Sequence, residues 1–216
     1  MPKAEFFTRL GLFGVKGVFT TDFCAHVRAE MSAASKVPAT ILQQQDATVL
    51  NQQVRKTSCA LVSEATLNQV ESQLRSLKPD LEQHFHRSLA QLQTPQFLSY
   101  QVGDFYHPHT DRCDDSHVPE FLRLRQVSVV VFLNDTLRTD TAEPQPDRYS
   151  GGALTFYGLI TDPAWKNYGF ELVGEAGLLI AFPSEVMHEV RPVTGGDRYT
   201  IASWFLSDPA NSKPAL

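Results

Sequence analysis

The chain has 216 residues, enough for one compact domain with a sizeable hydrophobic core. Hydrophobic residues make up 42% and charged residues 20% of it, which is typical of an ordinary soluble globular protein. The net charge is −5 and no segment is dense in Lys or Arg, so a nucleic-acid-binding protein is not expected.

The cysteines and the apolar segments bear on the compartment. Cys24, Cys59 and Cys113 are odd in number and lack C-x-x-C spacing, so we expect free thiols in a reducing compartment. The partly apolar stretch 10–19 is interrupted by Lys16 and by glycines, and we interpret it as a strand or loop rather than a signal peptide. No other stretch approaches the roughly 18 apolar residues that a membrane span needs. A cytoplasmic protein with no membrane partner is therefore expected.

The first 95 residues have helical periodicity. Thr21-Asp22 offers an N-cap before a short run of good helix formers. Apolar residues then recur every three or four positions, and Pro79 divides this stripe, which predicts helices at about 64–77 and 79–92. The charged segment 55–57 is interpreted as a turn that leads into a short strand.

From residue 97 onward the period changes to two, which is typical of strands. The candidate strands are 97–102, 105–111, 124–134, 151–157, 168–173, 177–182, 187–192 and 197–206. Helices followed by many short strands predict an α+β, mainly β fold, a sandwich or barrel with helices packed on one outer face. Two longer polar connections, 112–123 and 135–150, are candidates for lids over a site.

A candidate metal site lies in Tyr106-His107-Pro108-His109-Thr110-Asp111. Residues two apart on a strand point to the same face, so His109 and Asp111 present an imidazole and a carboxylate side by side. His188, at the edge of a later strand, is a candidate third ligand. Two histidines and one carboxylate occupy one face of an octahedral Fe(II) ion and leave three positions open.

Arg198 lies ten residues after His188, at an alternate position of an otherwise apolar strand. A guanidinium is costly to bury without a partner, so its burial predicts a ligand with a carboxylate that forms a bidentate pair with it. When Arg198 is considered by itself, the alternative to a buried, ligand-binding arginine is a surface arginine at the end of a strand.

Several spaced motifs of the C-terminal half occur together. They are Tyr100-x-x-Gly103-x-x-Tyr106-x-x-His109-x-Asp111, the run from Arg125 to Asn134, Gly151-Gly152-Ala153-Leu154-Thr155-Phe156, Phe182-Pro183-Ser184, His188-x-Val190-x-Pro192-Val193, and the run from Arg198 to Trp204. In this combination the segment 97–206 resembles the Fe(II)/2-oxoglutarate-dependent dioxygenases of the prolyl 4-hydroxylase type. Residues 1–95 match that family only loosely, as helical support around the catalytic core of 96–207, so we expect a single domain.

The resemblance implies a double-stranded β-helix, or jelly roll, with iron at one open end. It implies Fe(II), 2-oxoglutarate and O₂, with ascorbate as a reductant. The residues it implies are iron ligands His109, Asp111 and His188, 2-oxoglutarate-binding residues Arg198, Tyr100 and Leu154, and substrate-binding residues Arg125, Trp204 and Tyr106.

The activity that the resemblance implies is hydroxylation of an unactivated C–H bond, with decarboxylation of 2-oxoglutarate to succinate and CO₂. A prolyl residue of a peptide or protein is the first expectation for the substrate, and a free amino acid or small metabolite is the alternative. A non-catalytic jelly-roll binding module is an alternative of another class. Asp111 argues against a halogenase, which needs a small residue at that position.

Overall fold

The computed structural model describes residues 4–39, 41–42, 48–49, 53–137, 147–165 and 167–209. The helices of these residues are α1 Ala4–Arg9, α2 Thr21–Ala33, α3 Glu64–Ser76, α4 Lys78–Phe85 and α5 Glu120–Leu124, with a 3₁₀ turn at Pro163–Trp165. The strands are β1 Phe13–Val15, β2 Lys36–Pro38, β3 Ile41–Leu42, β4 Thr48–Val49, β5 Arg55–Lys56, β6 Ser58–Ala60, β7 Gln91–Leu92, β8 Gln96–Tyr100, β9 Phe105–His109, β10 Arg125–Phe132, β11 Asp135–Thr136, β12 Arg148–Gly151, β13 Leu154–Phe156, β14 Phe170–Leu172, β15 Leu179–Pro183, β16 His188–Val190, β17 Val193–Gly195 and β18 Arg198–Leu206.

Two sheets form the body of the fold. The larger sheet has the order β1-β15-β10-β18-β8-β6-β2, with β7 also paired to β18, and the second sheet has the order β14-β13-β16-β9-β5. Among the described residues the strand pairs are antiparallel, except for the parallel β11–β12 pair. This arrangement confirms the predicted jelly-roll class with helices outside it.

Alternation along the central strands divides the core into two layers. On β18, Tyr199, Ile201 and Phe205 pack toward α2, α3 and α4 in one apolar cluster. The alternate residues of β18 face the space between the two sheets, where a second apolar cluster lies. Helices α2, α3 and α4 therefore cover the outer face of the larger sheet, and its inner face remains available for a site.

Capping side chains set where the supporting helices begin. Thr20, not Thr21, caps α2, since its hydroxyl accepts from the Phe23 N–H at 3.2 Å. The Ser63 hydroxyl accepts from the Thr66 N–H at 3.3 Å and caps α3. Pro79 lies in the first turn of α4, as the division into two helices required.

Two further local predictions were wrong. The helix predicted to reach residue 92 ends at Phe85, because His86 adopts a left-handed conformation with φ 53° and the chain then forms β7. The predicted turn at 55–57 includes β5, which pairs with β9 and adds an edge to the second sheet. Helix α1 was not predicted. The connection 112–123 contains the start of α5, and residues 138–146 of the connection 135–150 lie outside the described part.

The three cysteines are free, as expected. None of the described helices is long and apolar enough to cross a membrane.

Candidate active site

Three side chains with metal-ligating atoms meet where β9 ends and β16 begins. His109 and His188 lie directly opposite each other in the antiparallel pair of these strands. Asp111 lies two residues beyond the end of β9, where its backbone N–H donates to the Ser184 carbonyl at 2.9 Å. One donor atom from each of the three residues lies within 4.8 Å of the others, so the group could hold a metal ion. It is the one such group among the described residues.

Backbone carbonyls fix which nitrogen of each imidazole is available. His109 Nδ1 lies 2.8 Å from the His107 carbonyl, and His188 Nδ1 lies 2.9 Å from the Val186 carbonyl. A carbonyl only accepts, so each neutral ring carries its proton on Nδ1 and presents an unprotonated Nε2. The Nε2 atoms lie 3.8 Å (His109) and 3.5 Å (His188) from the nearer oxygens of Asp111. This pattern is what a metal-ligating histidine requires.

The pKa values favour the metal-binding forms of two of these groups. Burial, together with the neighbouring His188, lowers the pKa of His109 to about 3, so its imidazole is neutral at neutral pH. Burial by itself would raise the pKa of Asp111, but His188, His109, Arg125 and the Ser128 hydroxyl outweigh it and lower the pKa to about 2. At neutral pH Asp111 is therefore an ionised carboxylate and His109 a neutral imidazole. Neither group has to lose a proton before it can bind a metal ion.

Arg198 is the most buried cation of the inner face, with 1% of its surface exposed. It lies at the start of β18, opposite Tyr100 of β8. Its Nη1 donates to the Thr200 hydroxyl at 3.2 Å, and Tyr100, Phe132 and Tyr149 surround the guanidinium at 5.0 to 6.0 Å from their ring centroids. No carboxylate of the described residues forms an ion pair with it, and its Nε has no hydrogen-bond partner among them.

A cavity of about 550 Å³ joins the two parts of the site. All nine residues predicted for the site line it: His109, Asp111, His188, Arg198, Tyr100, Leu154, Arg125, Trp204 and Tyr106. A closed core would not leave such a volume beside a buried cation. The cavity is large enough for a small dicarboxylate together with part of a second molecule.

Arg125 and Trp204 form one wall of the cavity. The guanidinium carbon of Arg125 lies 3.7 Å from the Trp204 ring centroid, and its Nη1 lies 3.3 Å from the backbone oxygen and 4.0 Å from the carboxylate of Asp111. Burial lowers the pKa of Arg125 to about 10, with Asp111 opposing the shift, so the group stays charged at neutral pH. Arg125 thus contacts both Asp111 of the candidate metal site and the ring of Trp204.

Tyr106 stacks on His109, with ring centroids 3.5 Å apart and an interplanar angle of 17°. Burial raises the pKa of its phenol to about 12, so the hydroxyl stays protonated. His107, which shares its strand with His109, is exposed and contributes its backbone carbonyl rather than its ring.

Sequence reasoning missed several residues that line the cavity or contact the donor group. Thr200 could have been found, since it follows Arg198 by two positions and so shares its strand face. Ser128 lies in the run from Arg125 to Asn134, in which Arg125 was the predicted site residue. Gln93, which accepts from Arg125 Nε at 2.7 Å, and Arg55, whose guanidinium lies 4.8 Å from the Tyr106 ring, carried no local signal.

The sequence model of the 2OG-Fe(II) oxygenase superfamily matches residues 95–206, just over half of the chain. The chain belongs to the 2OG-Fe(II) oxygenase superfamily. Membership implies Fe(II), 2-oxoglutarate and O₂ for this oxygenase. The two imidazole nitrogens beside a carboxylate fit Fe(II), and the buried guanidinium of Arg198, which has no acidic partner among the described residues, fits a carboxylate of 2-oxoglutarate.

Curated relatives of this oxygenase are PKHD-type hydroxylases. The chain is 27% identical over 197 residues to the PKHD-type hydroxylase YbiX of Shigella flexneri, covering 91% of this chain and 78% of the relative. It is 38% identical over 118 residues to a PKHD-type hydroxylase of Xylella fastidiosa, covering 51% of this chain and 42% of the relative. The similarity to the second is thus confined to about half of this chain.

Solved structures share the fold. A prolyl-4-hydroxylase of Pseudomonas putida has a TM-score of 0.68 and 23% identity, covering 95% of this chain and 98% of that one. A prolyl hydroxylase of Trichoplax adhaerens, solved with a hypoxia inducible factor peptide fragment, has a TM-score of 0.70 and 17% identity, covering 99% and 91%. These likenesses support a prolyl 4-hydroxylase-like jelly roll over nearly the whole chain.

Proposed function

We propose that this oxygenase hydroxylates a prolyl residue of a peptide or protein and converts 2-oxoglutarate to succinate and CO₂. In this proposal His109, Asp111 and His188 hold Fe(II). Arg198 anchors the distal carboxylate of 2-oxoglutarate.

The observation that carries the proposal is the burial of Arg198 at the cavity without an acidic partner among the described residues. A buried cation costs several kcal/mol unless an anion compensates it. A dicarboxylate satisfies this requirement at one end, and its other carboxylate and keto oxygen reach the open positions of a metal held by three protein ligands. Tyr100 and Leu154 line the same cavity and are assigned to 2-oxoglutarate with Arg198.

Bound Fe(II) and O₂ supply the oxidising chemistry, and the protein supplies binding and geometry. The backbone carbonyls of residues 107 and 186 hold the two imidazoles with Nε2 toward the metal position. Tyr100 and Phe132 of the apolar cluster between the sheets flank the buried guanidinium of Arg198, and this low-dielectric surrounding strengthens its attraction for a carboxylate.

Arg125, Trp204 and Tyr106 are assigned to the substrate. The wall that they form offers an aromatic face, a guanidinium and a phenol, which suit an apolar ring flanked by peptide carbonyls. The two solved structures named above are prolyl hydroxylases, and one of them holds a peptide, which supports the same class of substrate. Ascorbate as reductant and a cytoplasmic location stay predictions.

The test uses the purified chain with Fe(II), 2-oxoglutarate and ¹⁸O₂, added to the protein fraction or to the low-mass fraction of a cell lysate separated by ultrafiltration. We expect the protein fraction to stimulate succinate formation, and mass spectrometry to find one added ¹⁸O atom on prolyl residues. His188→Ala is the control and should give neither. Stimulation by the low-mass fraction alone would indicate a small metabolite, and no succinate with either fraction would indicate a non-catalytic binding module.

A further inference from the structure

Two buried serines connect the carboxylate of Asp111 to the larger sheet. Ser128 on β10 and Ser184, directly after β15, have 1% and 0% of their surfaces exposed. Ser128 Oγ donates to Asp111 Oδ2 at 2.7 Å, and the two serine hydroxyls lie 3.0 Å apart. Neither serine lines the cavity, so neither can contact a substrate or co-substrate there.

The direction of the hydrogen bonds follows from the number of protons. An ionised carboxylate only accepts, so the single hydroxyl proton of Ser128 is directed at Asp111. The proton between the two serines therefore belongs to Ser184, which donates to Ser128. We call the result the Ser184–Ser128 relay: Ser184 donates a hydrogen bond to Ser128, and Ser128 donates one to the carboxylate of Asp111.

Ser184 also holds the backbone of the same segment. Its carbonyl accepts from the N–H groups of Asp111 and Arg112, both at 2.9 Å, and its own N–H donates to the Gln126 carbonyl at 3.1 Å. Ser184 thus contacts the Asp111 backbone directly and the Asp111 carboxylate through Ser128.

We infer that the Ser184–Ser128 relay positions Asp111 for metal binding by fixing the rotation of its carboxylate. This torsion is broad and nearly two-fold in aspartate, so the plane of the carboxylate is defined only by external contacts. With the relay in place, Oδ2 lies 3.5 Å from His188 Nε2 and Oδ1 lies 3.8 Å from His109 Nε2. The inference rests on the proposed role of Asp111 as an iron ligand, and it assigns both serines as positioning residues.

The test is an anaerobic titration of the chain with Fe(II) in the presence of 2-oxoglutarate, followed by the visible charge-transfer band. We expect Ser128→Ala to raise the Kd for Fe(II) about tenfold and to shift the band, as loss of a partner of a metal ligand typically does. Ser184→Ala should raise the Kd for Fe(II) by a smaller factor than Ser128→Ala does. The double variant should bind like Ser128→Ala, since Ser184 acts through Ser128.

A matched pair of variants isolates the hydroxyl from packing. Ser128→Thr and Ser128→Val add the same bulk, but only threonine keeps the hydroxyl, so threonine should bind Fe(II) about as the wild type does and valine should bind as weakly as Ser128→Ala. Ser99→Ala removes a buried hydroxyl that has no hydrogen-bond partner among the described residues, and should leave the Kd unchanged.

Equal Kd values for Ser128→Thr and Ser128→Val, or a wild-type Kd in Ser128→Ala, would overturn the relay while leaving the proposed function intact. A wild-type chain that shows no 2-oxoglutarate-dependent band would overturn both.

Discussion

Arg198 contributes a full positive charge to the cavity, and the groups around its guanidinium are aromatic rings and the Thr200 hydroxyl. If it anchors a carboxylate, Arg198→Ala should raise the KM for 2-oxoglutarate about 30-fold or more, since removing one partner of a buried charge pair costs about 2 kcal/mol or more. Arg198→Lys keeps the charge but cannot form a bidentate pair with a carboxylate, so its KM for 2-oxoglutarate should lie between those of the wild type and Arg198→Ala. Succinate formation against 2-oxoglutarate concentration measures both.

Arg75→Ala is the control for this prediction, because Arg75 pairs with Glu71 on the exposed side of α3. Its KM should equal that of the wild type. An unchanged KM in Arg198→Ala would remove Arg198 from the co-substrate site, even if the chain still required Fe(II).

The turn between β12 and β13 brings backbone close to Arg198. Gly152 has φ +59°, and a Cβ there would lie 2.9 Å from Arg198 Cδ and 2.9 Å from Val193 Cγ2. Gly152→Ala should therefore lower the free energy of unfolding by about 1 kcal/mol or more and also raise the KM for 2-oxoglutarate, because the methyl group displaces Arg198.

Gly158 provides the matched control for this prediction. It has φ +70°, but nothing lies within 4 Å of the position of its Cβ. Gly158→Ala should thus reproduce the loss of stability from the left-handed backbone without the change in KM. If both variants raise the KM equally, contact with Arg198 is not the cause.

The supporting helices α2 and α3 are joined at their ends by a polar cluster. Glu30 of α2 accepts from the Ser63 N–H and hydroxyl at 3.1 and 3.0 Å and from the Thr66 hydroxyl at 3.0 Å. Ser63→Ala removes the α3 cap and one bond to Glu30, so it should lower the free energy of unfolding by about 1 kcal/mol, measured by urea denaturation. Ser63→Thr keeps the hydroxyl and should be close to the wild type. A fully stable Ser63→Ala would show that the cap contributes nothing.

Helices and strands that are determined by residues close to one another in the chain could be predicted from the sequence. Apolar runs predicted the strands that carry His188 and Arg198, because β16 and β18 are buried along their whole length. Strand β9, which carries His109, is only partly buried, and the turn residues Gly103 and Asp104 before it marked where it begins. Pro79 marked the boundary between two helices for an equally local reason.

Elements that depend on distant partners could not be predicted. Strand β5 has two residues, and it is a strand only because β9 pairs with it. The sequence predicted that helix α4 continues to residue 92, because the apolar spacing continues past Phe85. The helix ends at Phe85 instead, because the left-handed conformation of His86 changes the direction of the chain. The same limit applies to the site. Gln93, Arg55 and Ser184 reach it through pairing across the fold, which the spacing within a motif does not encode.

Across the whole molecule, the site couples stability to pH. The pKa of His109 is about 3 in the folded chain against an ordinary 6.5, so between these values the unfolded chain holds a proton that the folded chain lacks. Stability therefore falls as pH drops below about 6.5, by up to about 1.4 kcal/mol per pH unit for one proton. Asp111, at about 2 against 3.8, adds a further loss below about pH 4.

This coupling predicts that the metal-free chain is less stable at pH 5 than at pH 7 and that His109→Gln flattens the difference. Urea denaturation at the two pH values measures it, with His107→Gln, an exposed residue of the same strand, as the control. An equal pH dependence in wild type and His109→Gln would show that His109 is not held neutral by burial. Fe(II) should stabilise the wild type more at pH 7 than at pH 5, because protons then compete with the metal for the same nitrogen.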